Sequence, residues 1–322
     1  MREAAFVKQN EKKWETFAAL LAQPQKADPD TLADYFVQLT DDLSYAQTHY
    51  PKSNILVYLN NLAAKVHQAI YRNKKEDRNR FVTFWKDELP ELFYHARRPL
   101  LYAFAIFAVS VLVGAVSAAH DDTFVRLILG DGYVNMTLNN IERGDPMGVY
   151  KSGGSSDMFF AITFNNVRVS FLAFAAGLFI SVGTGFILFS NGVMLGAFQY
   201  FFYQKGLLLT SFLSIWIHGT LEISAIVIAG AAGLVMGNSI LFPGTYPRLE
   251  SFRRGARKGL KMVIGLVPIF IVAGFLESFV TRLTEWPAAV KLSIIGLSAF
   301  FIVYYFFLYP IKHHPHGAST KD

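Results

Sequence analysis

Residues 100–119 read LLYAFAIFAVSVLVGAVSAA, twenty positions in a row without a charged side chain. Wound as a helix at 1.5 Å per residue, the run covers the roughly 30 Å of hydrocarbon in a bilayer. A helix on the surface of a soluble domain keeps a charged face, and this run has none. It therefore reads as a membrane span, and its neighbours repeat the pattern. Residues 169–190, 220–242, 260–281 and 288–309 are each apolar and long enough to cross. Between them lies NGVMLGAFQYFFYQKGLLLTSFLSIWIHG (191–219), apolar but interrupted by Lys205-Gly206. That interruption predicts a broken third span. The expected fold is an all-α polytopic helical membrane bundle of about six spans over residues 99–310. It is flanked by a helical N-terminal domain (1–98) and a tail (311–322).

Composition points the same way. Only 17% of the 322 residues are charged and 52% are hydrophobic, with 30 Phe and a mean hydropathy of +0.31, whereas soluble domains carry about 25% charged residues. The net charge of +6 is local: residues 1–98 hold 15 Lys+Arg against 13 Asp+Glu, but residues 244–261 hold six against one. A basic run wedged between apolar segments marks the cytoplasmic side of a membrane. Without a stripe of interleaved basic and aromatic residues, no nucleic-acid partner is expected. The loop bearing Arg248, Arg253, Arg254, Arg257, Lys258 and Lys261 and the HARRP stretch (95–99) are thus expected inside. The loop at 120–166, with six acidic and three basic residues, is expected outside, and both termini are expected in the cytoplasm. The N-terminal MREAAFVKQNEKKW lacks an apolar signal core, so the internal spans are expected to direct insertion. The chain has no cysteine, which excludes disulfides and thiolate metal sites.

The N-terminal domain reads as three amphipathic helices. Phe6, Trp14, Phe17 and Leu21 recur at helical spacing. Asp30 or Thr31 is placed to cap a second helix carrying Leu32, Tyr35, Phe36, Leu39 and Leu43. A third follows Pro51, with Ile55, Tyr58, Leu59, Leu62, Val66 and Ile70 on one face. Trp14, Tyr35, Leu39, Tyr58 and Leu62 are expected inward. The charged YRNKKEDRNR (71–80) reads as a solvated linker. The aromatic and basic FVTFWKDELPELFYHARRP (81–99) is expected along the membrane surface.

The sharpest anomaly is IWIHGTLEI (215–223), which places His218 and Glu222 four residues apart in apolar surroundings. Ionisable groups are costly in hydrocarbon and serve either structure or function there. On a helix the two share a face and come within hydrogen-bonding reach. They either satisfy each other and pin helices together, or form a proton or ion site. A zinc site needs three or four ligands, and the sequence names only these two, so no metal or other cofactor is expected. Glu277, near the end of the fifth span, either snorkels outward or faces the bundle. Asn165, Asn166 and Arg168 are expected at the outer mouth of span two, with Thr184 within it. Asn191 is expected at its far end, where Asn191-Gly192 reads as a turn or a half-helix junction. Gly192-x-x-x-Gly196 and Gly233-x-x-x-Gly237 form small-residue faces that either pack one bundle internally or join two copies as a homodimer. KHHPHG (312–317) reads as a solvated tail rather than an ordered metal site. HGTLE is not the HExxH of a zinc protease, and no G-x-x-x-x-G-K-[ST] loop is present.

The stretches FNNVRVSFLAFAAGLFISVGTGFILFSNGVMLGAF (164–198) and HGTLEISAIVIAGAAGL (218–234) resemble the stage II sporulation protein M family of integral membrane proteins. The matching positions are Asn165-Asn166, Gly177, Gly183-Thr184, Asn191-Gly192, Gly196, His218-Gly219, Glu222, Gly230 and Gly233. DLSYAQTHYPKSNILVYLNNLAAKVHQAIY (42–71) fits the longer members. The resemblance implies a multi-pass protein of the bacterial cytoplasmic membrane. In spore formers the founding member works in a complex that includes peptidoglycan hydrolases. The expected function is a non-enzymatic membrane component of an envelope-remodelling assembly, with hydrolases or their regulators as partners. The alternative is a transporter or flippase whose pathway includes His218 and Glu222.

Overall fold

The computed structural model describes residues 2–22, 29–72, 80–151 and 154–313. Every regular element among them is helical. The chain forms two compact units, Met1–Arg80 and Phe81–Asp322.

The first unit contains α1 (Glu3–Ala22), α2 (Pro29–His49) and α3 (Asn54–Arg72). Phe6, Trp14 and Phe17 of α1 close a core with Leu39 and Ala46 of α2 and Leu59 and Leu62 of α3. The Trp14 indole N–H donates to Asp42 Oδ2 at 2.8 Å, so the largest buried ring also ties α1 to α2. Tyr35 packs at the edge of this core. Tyr58, expected inside, is 42% exposed: it is one residue, about 100° of helix, away from Leu59, which takes the inward direction. Pro29 already lies within α2, ahead of the expected caps Asp30 and Thr31, and its fixed φ suits a first helical turn. The side chains of Leu32, Val66 and Ile70 and most of the linker at 71–80 lie outside the described residues, as does nearly all of KHHPHG.

The chain continues through α4 (Arg80–Thr83), a π-turn (Phe84–Glu88) and α5 (Leu89–His95). This stretch was expected to lie on the membrane surface, but it packs into the bundle. Leu89 and Phe93 are buried, and the Phe93 ring meets Phe306 edge-on at 4.7 Å. The Tyr305 hydroxyl donates to the Trp85 carbonyl at 2.6 Å, and Glu88 pairs with Lys261. The i, i+4 spacing of Leu89 and Phe93 gives the short helix an apolar edge, with Leu89 against Gly265 of span 5 and Phe93 against Phe306 of the last span.

Among the described residues, six helices are long and apolar enough to cross a membrane: Arg97–His120, Ser155–Leu178, Val182–Gln204, Leu208–Leu241, Arg248–Val280 and Ala288–Lys312. They comprise α6 (Arg97–His120); α9 (Ser155–Ala175) with a 3₁₀ turn; α10 (Val182–Gln204); α11 (Leu208–Leu241); α12 (Arg248–Phe275) with a π-turn at Leu276–Val280; and α13 (Ala288–Val303), continued by a π-turn into α14 (Tyr309–His313). Two short helices, α7 (Phe124–Leu129) and α8 (Asp131–Glu142), form part of the connection between spans 1 and 2. The protein is a multi-pass helical membrane protein.

The second to fourth spans are placed differently from expectation. Span 2 begins at Ser155, so Asn165, Asn166 and Arg168 lie within a helix rather than at its mouth. No break falls at Asn191-Gly192, because Asn191 is inside a continuous α10 and its Nδ2 donates to the Ile187 carbonyl at 2.8 Å. The third span is unbroken, and Lys205-Gly206 ends it, with Gly206 at φ 70°. The turn between spans 2 and 3 occupies 179–181, where Ile180 and Ser181 both adopt positive φ (53° and 65°). A β-branched residue in that region is strained; Ser181 lies against Gly237 of span 4, while Ile180 is half exposed.

Span 4 is the hub. It packs against spans 1, 2, 3, 5 and 6, and 61% of its most apolar window is buried. Small residues allow these approaches. A Cβ at Gly196 would fall on the Val111 carbonyl oxygen of span 1, and one at Gly192 would stand 2.6 Å from Ser110 Cβ. Gly233 faces Thr184 and the Ala173 carbonyl, Gly177 faces the Gly233 backbone, and Gly230 faces Leu188. Gly183 lies against the Ala176 carbonyl in the tight turn region. Since consecutive spans alternate in direction, the 179–181 and 242–247 connections share a side with Arg97. The 121–154 and 205–207 connections share the other.

Candidate functional site

His218 and Glu222 lie one turn apart on α11, ten and fourteen residues from its start at Leu208. This places them about 15–21 Å along the helix axis. Opposite them, the end of span 5 contributes Glu277 and Thr281. Here the helix widens into a π-turn, with Thr281 N–H donating to the Leu276 carbonyl at 2.8 Å. Such turns recur at functional sites because one extra residue re-aims the side chains that follow.

His218 is buried, and its Nδ1 meets Thr281 Oγ1 at 3.0 Å. The same hydroxyl donates to the Leu276 carbonyl at 3.2 Å. When the hydroxyl gives its one proton to that carbonyl, Oγ1 accepts from the imidazole and the neutral ring carries its proton on Nδ1. Nε2 then presents a lone pair, and it stands 3.9 Å from Glu277 Oε1. Ligand-type atoms of His218, Glu222 and Glu277 all lie within 4.8 Å of one another. The partner of the imidazole is thus Thr281, sixty-three residues away, rather than the expected Glu222.

Beside this cluster is a cavity of about 410 Å³, lined by His218, Glu222, Asn165, Asn166, Asn191 and Tyr150, among others. No lysine or arginine is among its lining residues. Asn166 is only 5% exposed. Its amide stands next to the Glu222 carboxylate, yet Nδ2 has no acceptor in hydrogen-bonding geometry. Tyr150, in the connection between spans 1 and 2, places its ring 5.8 Å from the His218 ring. Burial, followed by the influence of Tyr133, Glu277 and Glu222, raises the Tyr150 phenol well above its ordinary value. It therefore stays a neutral hydroxyl. Tyr133, Ile128 and Leu129 from the same connection also line the cavity, which places it toward the 121–154 side of the bundle.

Five of the six polar positions singled out in the sequence thus line one cavity. Thr184 does not: its hydroxyl donates to the Ala173 carbonyl at 2.7 Å in a buried packing contact. The sequence reading missed Thr281 and Tyr150 and left Glu277 undecided. The one available signal was a carboxylate in an otherwise apolar span. Chemically, the site offers two carboxylates and an imidazole lone pair in a shielded pocket, with a phenol and an amide as the available donors.

Residues 103–282 match the family described as Stage II sporulation protein M, a range that contains every residue of this site. Residues 4–72 match a domain of unknown function, DUF8413. No curated protein and no solved structure matches the chain.

Proposed function

The chain belongs to the stage II sporulation protein M family of membrane proteins, and from that membership we propose that it is a non-enzymatic component of a bacterial envelope-remodelling assembly. The carrying observation is the match over residues 103–282, more than half of the chain. In this reading the bundle sits in the cytoplasmic membrane with both termini inside. The basic residues in the first turns of span 5 support that orientation, because Arg253, Arg254, Arg257 and Lys258 are exposed and lie toward the same side as Arg97 and Arg98.

A separately folded N-terminal unit with its own family match supports a partner-binding role on the cytoplasmic side. The helical connection at 121–151 offers a second surface, toward the cell wall. Peptidoglycan hydrolases or their regulators are the partners this reading requires. Affinity purification from native membranes with mass spectrometry tests it. Recovery of such envelope proteins with the full-length chain supports the assembly role. Isolation of the chain alone with a bound solute or lipid refutes it in favour of transport.

A further inference from the structure

We propose that His218, Glu222 and Glu277 form a binding site for a divalent first-row transition-metal cation of the zinc class. The first argument is convergence. Ligand atoms of His218, Glu222 and Glu277 gather within 4.8 Å, and the tautomer in which Nδ1 donates to Thr281 leaves Nε2 bare on the side of Glu277. An imidazole nitrogen and two carboxylate oxygens at one point make the kind of ligand set a cation gathers. The 3.9 Å between Nε2 and Glu277 Oε1 is too long for a hydrogen bond. It is short enough for two ligands of one ion, since ligands about 2.0–2.2 Å from zinc stand roughly 3.4 Å apart in a tetrahedron.

Charge gives the second argument. With both carboxyl groups ionised and the imidazole neutral, the ligand set carries −2, which a divalent cation cancels. No lysine or arginine lines the adjoining cavity to do so instead. A neutralised cluster is far cheaper to hold in a low-dielectric bundle than two bare carboxylates.

The third argument is the unsatisfied amide. Asn166 Nδ2 is buried, borders the cavity and the Glu222 carboxylate, and makes no hydrogen bond of good geometry there. Three protein ligands leave a tetrahedral ion one open position, and an oxygen ligand there supplies the acceptor that Asn166 lacks. Thr281 plays the outer-shell part, since a metal-bound histidine ordinarily donates its other ring N–H to an oxygen that fixes the tautomer. The mixed nitrogen and oxygen set favours zinc, manganese or iron(II) over calcium or magnesium, which prefer all-oxygen shells.

The test uses full-length protein, purified without a histidine tag, stripped with chelator and titrated with Zn(II) in micelles. A companion protein with His313, His314 and His316 replaced by Asn removes the tail histidines from consideration. The expected result is one Zn(II) per chain in both proteins, together with a rise in melting temperature over the chelated form. Glu277→Gln and Glu222→Gln should each abolish stoichiometric binding while melting, in chelator, no lower than wild type. Thr281→Val leaves all three ligands in place and should weaken binding by about 10–100-fold. Co(II) should give visible ligand-field bands that disappear in Glu277→Gln. Failure of the companion protein to bind Zn(II), Mn(II) or Fe(II), or undiminished binding by Glu277→Gln, overturns the proposal. Neither outcome bears on the partner capture that tests the assembly role.

Discussion

Gly196→Ala measures how closely the bundle is packed. The methyl carbon would fall on the Val111 carbonyl oxygen and 2.7 Å from the Ala115 nitrogen, both backbone atoms of span 1. No side-chain rotation relieves that clash, so spans 1 and 3 must separate along the line where Gly192 and Gly114 also make close approaches. Gly296 is the control, because it is helical and nothing lies within 4 Å of the position of its Cβ. In a helix interior, Gly→Ala alone stabilises by about 0.8–1.0 kcal/mol, so Gly296→Ala should be neutral or slightly more stable. At Gly196 the same gain applies, but forcing atoms into a packed interface costs about 1–3 kcal/mol. The rigid backbone partner puts this case toward the upper end. The two variants should therefore differ by about 3 kcal/mol. Unfolding in mixed micelles by added sodium dodecyl sulfate, followed by tryptophan fluorescence, reads the difference. Equal stabilities would show that the helices are not in contact at Gly196 as described.

Three other outcomes are expected. Reporter fusions at Arg254 and at the C-terminus should read cytoplasmic and one at Gly144 external; a cytoplasmic signal at Gly144 would reverse the orientation. Residues 1–80 expressed alone should give a helical circular-dichroism spectrum and a cooperative melt, and Trp14→Ala should abolish that melt. The substitution removes a core ring whose loss costs about 3–5 kcal/mol, comparable to the whole stability of so small a domain. Thr184→Val keeps the side-chain shape but loses the hydroxyl bond to the Ala173 carbonyl, so stability should fall by about 1 kcal/mol. An unchanged midpoint in the same micelle assay would mean the bond contributes nothing.

The number of spans and the places of the first, fifth and sixth were legible because hydropathy is a local property, but the runs read as spans at 169–190 and 191–219 each straddle a real turn, at 179–181 and 205–207. The positions of the ends were less legible. Asn191-Gly192 has the composition of a turn, yet Asn191 bonds back to Ile187 and Gly192 is needed for contact with Ser110, so tertiary packing overrides the turn signal. The real turn, at Ile180-Ser181, has neither glycine, asparagine nor proline to announce it. His218 and Glu222 were conspicuous as polar residues in an apolar helix. Their association with Glu277 and Thr281 spans more than fifty residues of sequence and depends on a π-turn, for which the sequence carries no recognised mark.

The hub position of span 4 has a consequence in time. A ribosome delivers His218 and Glu222 to the membrane before Glu277 has been made. At about 5–20 residues per second, the intervening stretch takes roughly 3–11 s to synthesise. During that interval the helix destined for the centre of the bundle has no span 5 beside it, and its ionisable face has only the earlier spans for shelter. Span 4 must therefore be kept at a protected place, in the insertion machinery or against spans 1 to 3, until its last partners arrive. Slowing synthesis between Gly244 and Glu277 would lengthen that wait, and with it the interval in which the half-built protein is open to degradation.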